Sequence, residues 1–286
     1  MSTAVSQPSV PLACVLGDPI AQSLSPRLHL AALARSGLAG NYLAFRTPSS
    51  QLEDTLRALQ VLGFQGANLT APLKIEVLPL LDRMTDEVRT IGAANTVLFS
   101  QGSVIGYNTD APGLLEALRT IVGFEPSGQR VLILGAGGAA RAAVFAMLTA
   151  GAVEVWVANR NPVRARLLVE SFTGPVGICE DTRELSVDLV INGTIVGMKG
   201  AGAEGQAPID LTELKGCQFV YDMVYEPTTT PLMQAARRMG ISAFDGRSML
   251  AAQARIAFAL FYGGRPDLKV FMDALGHHNS DRDPHG

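Results

Sequence analysis

The sequence predicts an α/β protein of two domains built on mostly parallel sheets, and three observations point there. Its 286 residues exceed the ~100–150 typical of a single domain. Short β-rich runs alternate with helix-period patterns nearly throughout, the pattern of strands joined by helical crossovers. Midway, a glycine-rich turn separates a buried-strand pattern from an alanine-rich helix, and a second unit begins there.

In order, Leu12–Leu16 reads as the first strand, followed by a loop to Leu24 and a helix from Ser25 to a stop at Gly37. Ser25 fits an N-cap with Pro26 at the first helical position. A strand near Tyr42–Phe45 precedes a helix opened by Ser50 and Glu53, at capping-box spacing. Leu52, Leu56, Leu59 and Leu62 step along that helix at its own period, and Gly63 ends it. A third strand runs to Leu69, and Thr70-Ala-Pro-Leu-Lys74 follows.

The second unit opens near Gln129. Arg130–Leu134 is a buried strand, Gly135-Ala136-Gly137-Gly138-Ala139-Ala140 a turn, and a helix continues to about Ala150. Strands follow at Val153–Ala158, Leu189–Ile191 and Phe219–Asp222. The last strong helix spans Ser248–Phe261, and packing it back on the first domain would make that domain discontinuous. The segment from His277 is polar and is expected to be disordered.

Strand, glycines at 135 and 137, a small residue at 140 and a helix form a dinucleotide-binding fingerprint in its proper context. The first glycine permits the turn, the second admits the pyrophosphate, and Ala140 lets helix and strand pack closely. The second domain is therefore expected to be a Rossmann-type, doubly wound unit whose helix N-terminus receives the phosphates. NAD sites usually carry a carboxylate at the end of the next strand. Here the chain reads Ala158-Asn159-Arg160-Asn161-Pro162-Val163-Arg164. Guanidinium groups suit the 2′-phosphate of NADP, so NADP is the expected cofactor. The competing reading is two solvated arginines at a helix start, where the helix dipole slightly disfavours them.

Composition narrows the rest. The net charge of −3, from 23 basic and 26 acidic side chains, gives no reason to expect nucleic acid or an anionic membrane. Cys14, Cys179 and Cys217 are odd in number and widely spaced, so buried free thiols are expected rather than disulfides or a metal site. Three of the four histidines (His277, His278, His285) lie in the tail. No signal pattern and no bilayer-length apolar run stands out, which leaves the cytoplasm by elimination.

Two polar residues of the first unit invite chemistry. Lys74 follows a proline turn, and Asp110 closes Gly106-Tyr-Asn-Thr-Asp110 before a helix. Proton transfer beside a hydride acceptor would suit a lysine oriented by a carboxylate. Alone, Lys74 could be a solvated lysine and Asp110 an N-cap. A resemblance pairs them. From Leu12 to Gly263 the chain resembles the shikimate dehydrogenase family, in Gly17-Asp-Pro, Ser23-Leu-Ser25-Pro26, Gly66-Ala-Asn68-Leu-Thr70-Ala-Pro72-Leu-Lys74, Gly92-Ala-Ala-Asn95-Thr96 and Gly106–Asp110. The resemblance continues through Gly135, Asn159-Arg160, Asn192-Gly-Thr194, Gly197-Met198, Tyr221-Asp-Met223-Val-Tyr225-Glu-Pro227 and Asp245-Gly246-Arg-Ser-Met249-Leu-Ala-Ala-Gln253-Ala254.

This resemblance implies NADPH-dependent reduction of 3-dehydroshikimate to shikimate in aromatic biosynthesis, by a monomer or homodimer. Lys74 and Asp110 become the catalytic pair. Ser23 and Ser25 would hold the substrate carboxylate, with Asn68, Thr70, Asn95 and Gln253 around the ring hydroxyls. Tyr225 would close the site, Met223 would pack near the nicotinamide, and Gly246 would belong to the cofactor set. Gly135, Ala136, Gly137, Gly138, Ala139, Asn159, Arg160, Arg164 and Thr194 complete the cofactor set. Residues 1–110 and 246–286 would form the substrate domain, and 111–245 the nucleotide domain, with the active site in the cleft between them. Gln22 and Leu30 depart from the family pattern of a histidine and an asparagine, which bears on fine positioning. Rival readings are a quinate or quinate/shikimate dehydrogenase using NAD, a non-catalytic NADP-binding regulator, and an amino-acid or tetrahydrofolate dehydrogenase of related architecture.

Overall fold

The structure, a computed structural model, describes residues 10–183 and 185–276; the polar segment from His277 lies outside them. The first part of the chain contains β1 (Leu12–Gly17), α1 (Ser25–Ser36), β2 (Asn41–Arg46), α2 (Leu52–Val61), β3 (Gly66–Leu69) and α3 (Leu73–Glu76). It continues with β4 (Arg83–Met84), α4 (Asp86–Ile91), β5 (Thr96–Ser100), β6 (Ser103–Tyr107) and α5 (Asp110–Ala117). The second part begins with β7 (Arg130–Leu134), α6 (Gly138–Thr149), β8 (Glu154–Ala158), α7 (Pro162–Glu170), β9 (Val176–Ile178) and β10 (Leu189–Asn192). It ends with β11 (Phe219–Asp222), α8 (Pro231–Arg238), β12 (Ser242–Phe244), α9 (Arg247–Tyr262) and α10 (Leu268–Ala274).

The second sheet is wholly parallel, ordered β12-β11-β10-β7-β8-β9. This is the doubly wound arrangement, with β7 at the centre and the chain running outward from it in both directions. Strand order reverses between β7 and β10, so a crevice opens at their carboxyl ends. The first sheet, β2-β1-β3-β5-β6-β4, is also mostly parallel, with β4 parallel to β6, but it contains one antiparallel strand that the sequence reading did not separate out. β1 pairs in parallel with β2 and β3, but β5 runs antiparallel to both β3 and β6. The β5–β6 hairpin escaped the sequence reading because its turn is Gln101-Gly102, with φ of 50° and 79°, rather than the Asn-Gly or Asp-Gly that usually announces such turns.

Two predicted caps are absent. Ser25 is the first residue of α1, Leu24 stands at the N-cap position, and no side chain caps it. A 3-10 turn, Ser49–Gln51, replaces the Ser50–Glu53 capping box, and α2 begins without a side-chain cap. In both helices burial of the apolar face, Leu28, Ala32 and Leu33 in one and Leu52, Leu56 and Leu59 in the other, outweighs the ~1 kcal/mol of a cap.

The long helix α9 packs on α1, α5 and α10, as its late position in the chain suggested. Gly113 lets α5 approach it, because a Cβ there would lie 2.8 Å from the Gln253 backbone nitrogen. Arg255 of α9 clamps Glu116 of α5 through hydrogen bonds of 2.7 and 2.8 Å. One apolar core runs from Ile91, Ala93 and Met249 through α5 and α6 to β7, so the two sheets sit on a shared hydrophobic base. Of the cysteines only Cys14 is fully buried; Cys179 and Cys217 are half-buried, and all three are free.

Candidate active site

The nucleotide half is built from backbone and small residues. Gly135 turns the chain at φ 110°, where a Cβ would meet the Thr194 methyl at 3.0 Å and the Gly193 carbonyl oxygen at 3.2 Å. α6 then starts with Gly137 as N-cap and no side-chain cap, which leaves the amides of its first turn to face the cleft. Asn161 caps α7 by accepting from the Val163 and Arg164 amides. Arg160 and Arg164 line the cleft beside it, and no carboxylate among the described residues pairs with either. Exposed amides at a helix start and two unpaired guanidiniums are what a phosphate-rich dinucleotide with a further 2′-phosphate requires.

The other half is built from side chains. Lys74, at the start of α3, donates to Asp110 Oδ2 at 2.5 Å. Their side chains are 18% and 5% exposed, so the pair is held at the cleft wall with only the ammonium edge open. Asp110 is the first residue of α5 rather than its N-cap, and its other oxygen accepts from Asn95 Nδ2 at 2.8 Å. Asn95 also donates to Thr109 Oγ1 and accepts from the Thr109 amide at 2.7 Å. Gln253, reaching in from α9, accepts from Thr109 Oγ1 at 3.4 Å. Asn68 accepts from the Tyr42 hydroxyl at 2.6 Å and donates to Thr96 Oγ1 at 2.9 Å. The Ser25 hydroxyl meets the same Tyr42 oxygen, and Ser23 Oγ accepts from the Ser25 amide at 3.4 Å.

The halves meet closely beside Lys74. A Cβ on Gly138, the first residue of α6, would stand 2.9 Å from the Cβ of Lys74, so glycine allows the nucleotide helix to press directly on the lysine. Arg141, one turn on, donates to the Ile91 carbonyl at 3.2 Å across the same seam. Between the halves lies a cleft of about 1480 Å³. Every site residue named from the sequence borders it, Met223, Tyr225 and Gly246 from the far side. Gly246 is required there because a Cβ would lie 2.2 Å from the Met223 carbonyl oxygen. Gln22 also borders the cleft, whereas Leu30 points outward, 42% exposed.

Sequence reasoning missed Tyr42, Thr96, Thr109 and Arg141. Tyr42 and Thr96 are ordinary strand residues whose only signal is a polar group on a buried face. His29 lies one turn after Ser25 and stacks on Tyr42, with ring centroids 4.0 Å apart and planes within 5°. It is fully buried with neither ring nitrogen partnered, and burial drives its pKa down to about 3, so it serves as a neutral aromatic wall. Burial likewise raises the Tyr225 phenol above its ordinary value. Among the described residues no cluster of three His, Cys, Asp or Glu offers a metal site, and no helix is long and apolar enough to cross a membrane.

Comparison with known proteins agrees with this geometry. A family described as "Shikimate dehydrogenase substrate binding domain" matches residues 15–97, and one described as "Shikimate / quinate 5-dehydrogenase" matches residues 116–195. A shikimate dehydrogenase (NADP(+)) of Citrifermentans bemidjiense is 44% identical over 275 residues, 92% of this chain and 94% of that protein. The shikimate 5-dehydrogenase of Thermus thermophilus, solved in complex with NADP(H) and shikimate, superposes with a TM-score of 0.84 at 40% identity, covering 93% of this chain and 98% of that one. A 5-ketofructose reductase of a Gluconobacter strain follows at TM-score 0.81 and 29% identity, with coverage of 93% and 98%. This chain belongs to the shikimate dehydrogenase family.

Proposed function

We propose that the protein catalyses the reversible, NADP-dependent reduction of 3-dehydroshikimate to shikimate, in the cytoplasm, as a monomer or homodimer. The observation that carries this reading is the Lys74–Asp110 pair, seated against the first residue of the nucleotide helix. An acid–base group there lies within reach of both a bound ring and a bound nicotinamide. Among the described residues, those within 1–110 and 246–286 form the substrate domain and those within 111–245 the nucleotide domain.

NADPH, when bound, supplies the hydride. Lys74 gives one hydrogen to Asp110 and keeps two for the cleft, so its ammonium can protonate the ketone oxygen as the alcohol forms and take that proton back in the reverse direction. Asp110 aims the ammonium and balances its charge. Ser23 and Ser25 hold the carboxylate by hydroxyl donation, and Asn68, Thr70, Asn95 and Gln253 surround the ring hydroxyls. Asn68 spends both amide hydrogens on Thr96 and on the Asn95 carbonyl, so toward a ligand it accepts. Tyr225 and Met223 close the site from the nucleotide side. The amides after Gly137 cradle the pyrophosphate, and Arg160 and Arg164 hold the 2′-phosphate.

The test follows reduced-nicotinamide absorbance with purified protein, offering shikimate and quinate each with NADP and NAD. Turnover with shikimate and NADP far above the other three combinations is expected. Preference for quinate with NAD would keep the chemistry but overturn the substrate and cofactor; no turnover by protein that still binds NADP would make it a binding module.

A further inference from the structure

Five buried side chains form a continuous chain of hydrogen bonds from Tyr42, behind the cleft wall, to the reacting pair. Tyr42 donates to Asn68 Oδ1 at 2.6 Å, and Asn68 Nδ2 donates to Thr96 Oγ1 at 2.9 Å. Thr96 Oγ1 donates to Asn95 Oδ1 at 3.2 Å, and Asn95 Nδ2 donates to Asp110 Oδ1 at 2.8 Å. Two backbone groups set the orientation of both amides in the chain. The Asn95 carbonyl, 3.3 Å from Asn68, can only accept, so the amide nitrogen of Asn68 faces it and the amide oxygen must face Tyr42. The Thr109 amide, 2.7 Å from Asn95, can only donate, so Asn95 turns its oxygen there and its nitrogen to Asp110. Thr96 accepts from Asn68 and has the Asn95 Oδ1 acceptor at 3.2 Å, shorter than its alternative contact with Thr109 Oγ1 at 3.5 Å.

We propose that Tyr42 and Thr96 are positioning residues for the catalytic carboxylate, acting through Asn68 and Asn95 as a one-directional chain that ends on Asp110. Neither can touch a ligand through bulk exposure: Thr96 is fully buried and Tyr42 is 1% exposed. The antiparallel register of β3 and β5 places Asn68 opposite Thr96, and the His29 ring fixes the plane of Tyr42. An apolar core here would fold as well, because a buried polar network gains little net stability. What a fully satisfied network does provide is a single orientation for each member. Here that orientation delivers an N–H to one oxygen of Asp110 and leaves the other for Lys74.

The inference rests on the proposed reaction, and its test separates the two. Wild-type, Thr96→Val, Thr96→Ser and Tyr42→Phe proteins are compared for kcat, for KM of shikimate and NADP, and for melting temperature. Thr96→Val keeps the volume but removes the link, and roughly a tenfold loss of kcat with unchanged KM for NADP is expected. Thr96→Ser retains the hydroxyl and restores most of the rate. Wild-type kcat in Thr96→Val, or equal impairment of the valine and serine variants, overturns the proposal, since packing rather than the hydroxyl would then matter. Should Thr96→Val not fold, Tyr42→Phe decides: a loss of a few-fold in kcat/KM for shikimate supports the chain, and an unchanged value overturns it. A wild-type protein inactive toward shikimate refutes the reaction itself, a result distinct from all of these.

Discussion

The two halves of the cleft solve the problem of holding a ligand by opposite means. The nucleotide half uses backbone amides and missing side chains: Gly135, Gly137, Gly138 and the uncapped start of α6. The substrate half uses side chains from α3, β3, α5 and α9, together with the loops beside α1 and β5, tied to one another before any ligand arrives. The glycine turn is short in sequence and leaves little room for bulk at Gly135 and Gly138, whereas the side-chain site is scattered in sequence and depends on each of its partners. Substitutions should therefore fail in different ways on the two sides.

The largest expected effect lies in the side-chain half. Lys74→Met removes the proton donor while keeping much of the stem's packing, and kcat should fall by about 10³-fold. Fluorescence titration should find NADP affinity nearly unchanged; if turnover persists within about tenfold of wild type, proton transfer belongs to another group. On the nucleotide side, the double variant Arg160→Ser, Arg164→Ser should raise KM for NADP by about 10²-fold, from two lost charge-assisted contacts. Kinetics with NAD should be unmoved, and a parallel loss with NAD would show the arginines to be structural. Gly138→Ala tests the contact between the halves. Its Cβ would meet that of Lys74 at 2.9 Å, so kcat should fall by about tenfold through displacement of the lysine, with KM for NADP changed less.

The smallest effect is one of stability. Asp222 is buried at the end of β11, where it accepts from Asn192, Thr230 and the Val224 amide. Burial raises its pKa to about 6. A raised carboxylate pKa means that its contribution is fully present below its ordinary value, near 3.8, and is lost as pH rises through about 6. The melting temperature of wild type relative to Asp222→Asn should thus be higher at about pH 4 than at about pH 8, by a few degrees. A difference independent of pH would mean that the group does not titrate in that window.

Legibility followed the same division. The β7 strand, the Gly135 turn and the β11 strand lie where hydrophobic runs and glycines indicate, because a buried parallel strand and a phosphate-binding turn each impose a local pattern. The antiparallel β5–β6 hairpin has only a weak mark, Gln101-Gly102 in place of Asn-Gly or Asp-Gly, and β5 is also held by its pairing with β3. The caps assigned to Ser25 and Ser50 failed for the converse reason: cap-compatible residues occur widely, and packing of an apolar face decides where a helix begins. Lys74 and Asp110 were paired, and the substrate-binding residues named, through resemblance, since nothing local to Lys74 or Asp110 reveals that they lie 2.5 Å apart.

By itself, then, the sequence determined the α/β class, the doubly wound nucleotide unit and the absence of an acidic residue after Ala158, because each is a short-range pattern of size, polarity and glycine. Only the tertiary structure decided that Lys74 meets Asp110, that Gly138 carries the nucleotide helix onto that lysine, and that Tyr42 and Thr96 stand behind Asn95. Those contacts join positions far apart in the chain, 36 residues in the case of Lys74 and Asp110. Such separations are closed by sheet register and helix packing rather than by any neighbour in the sequence.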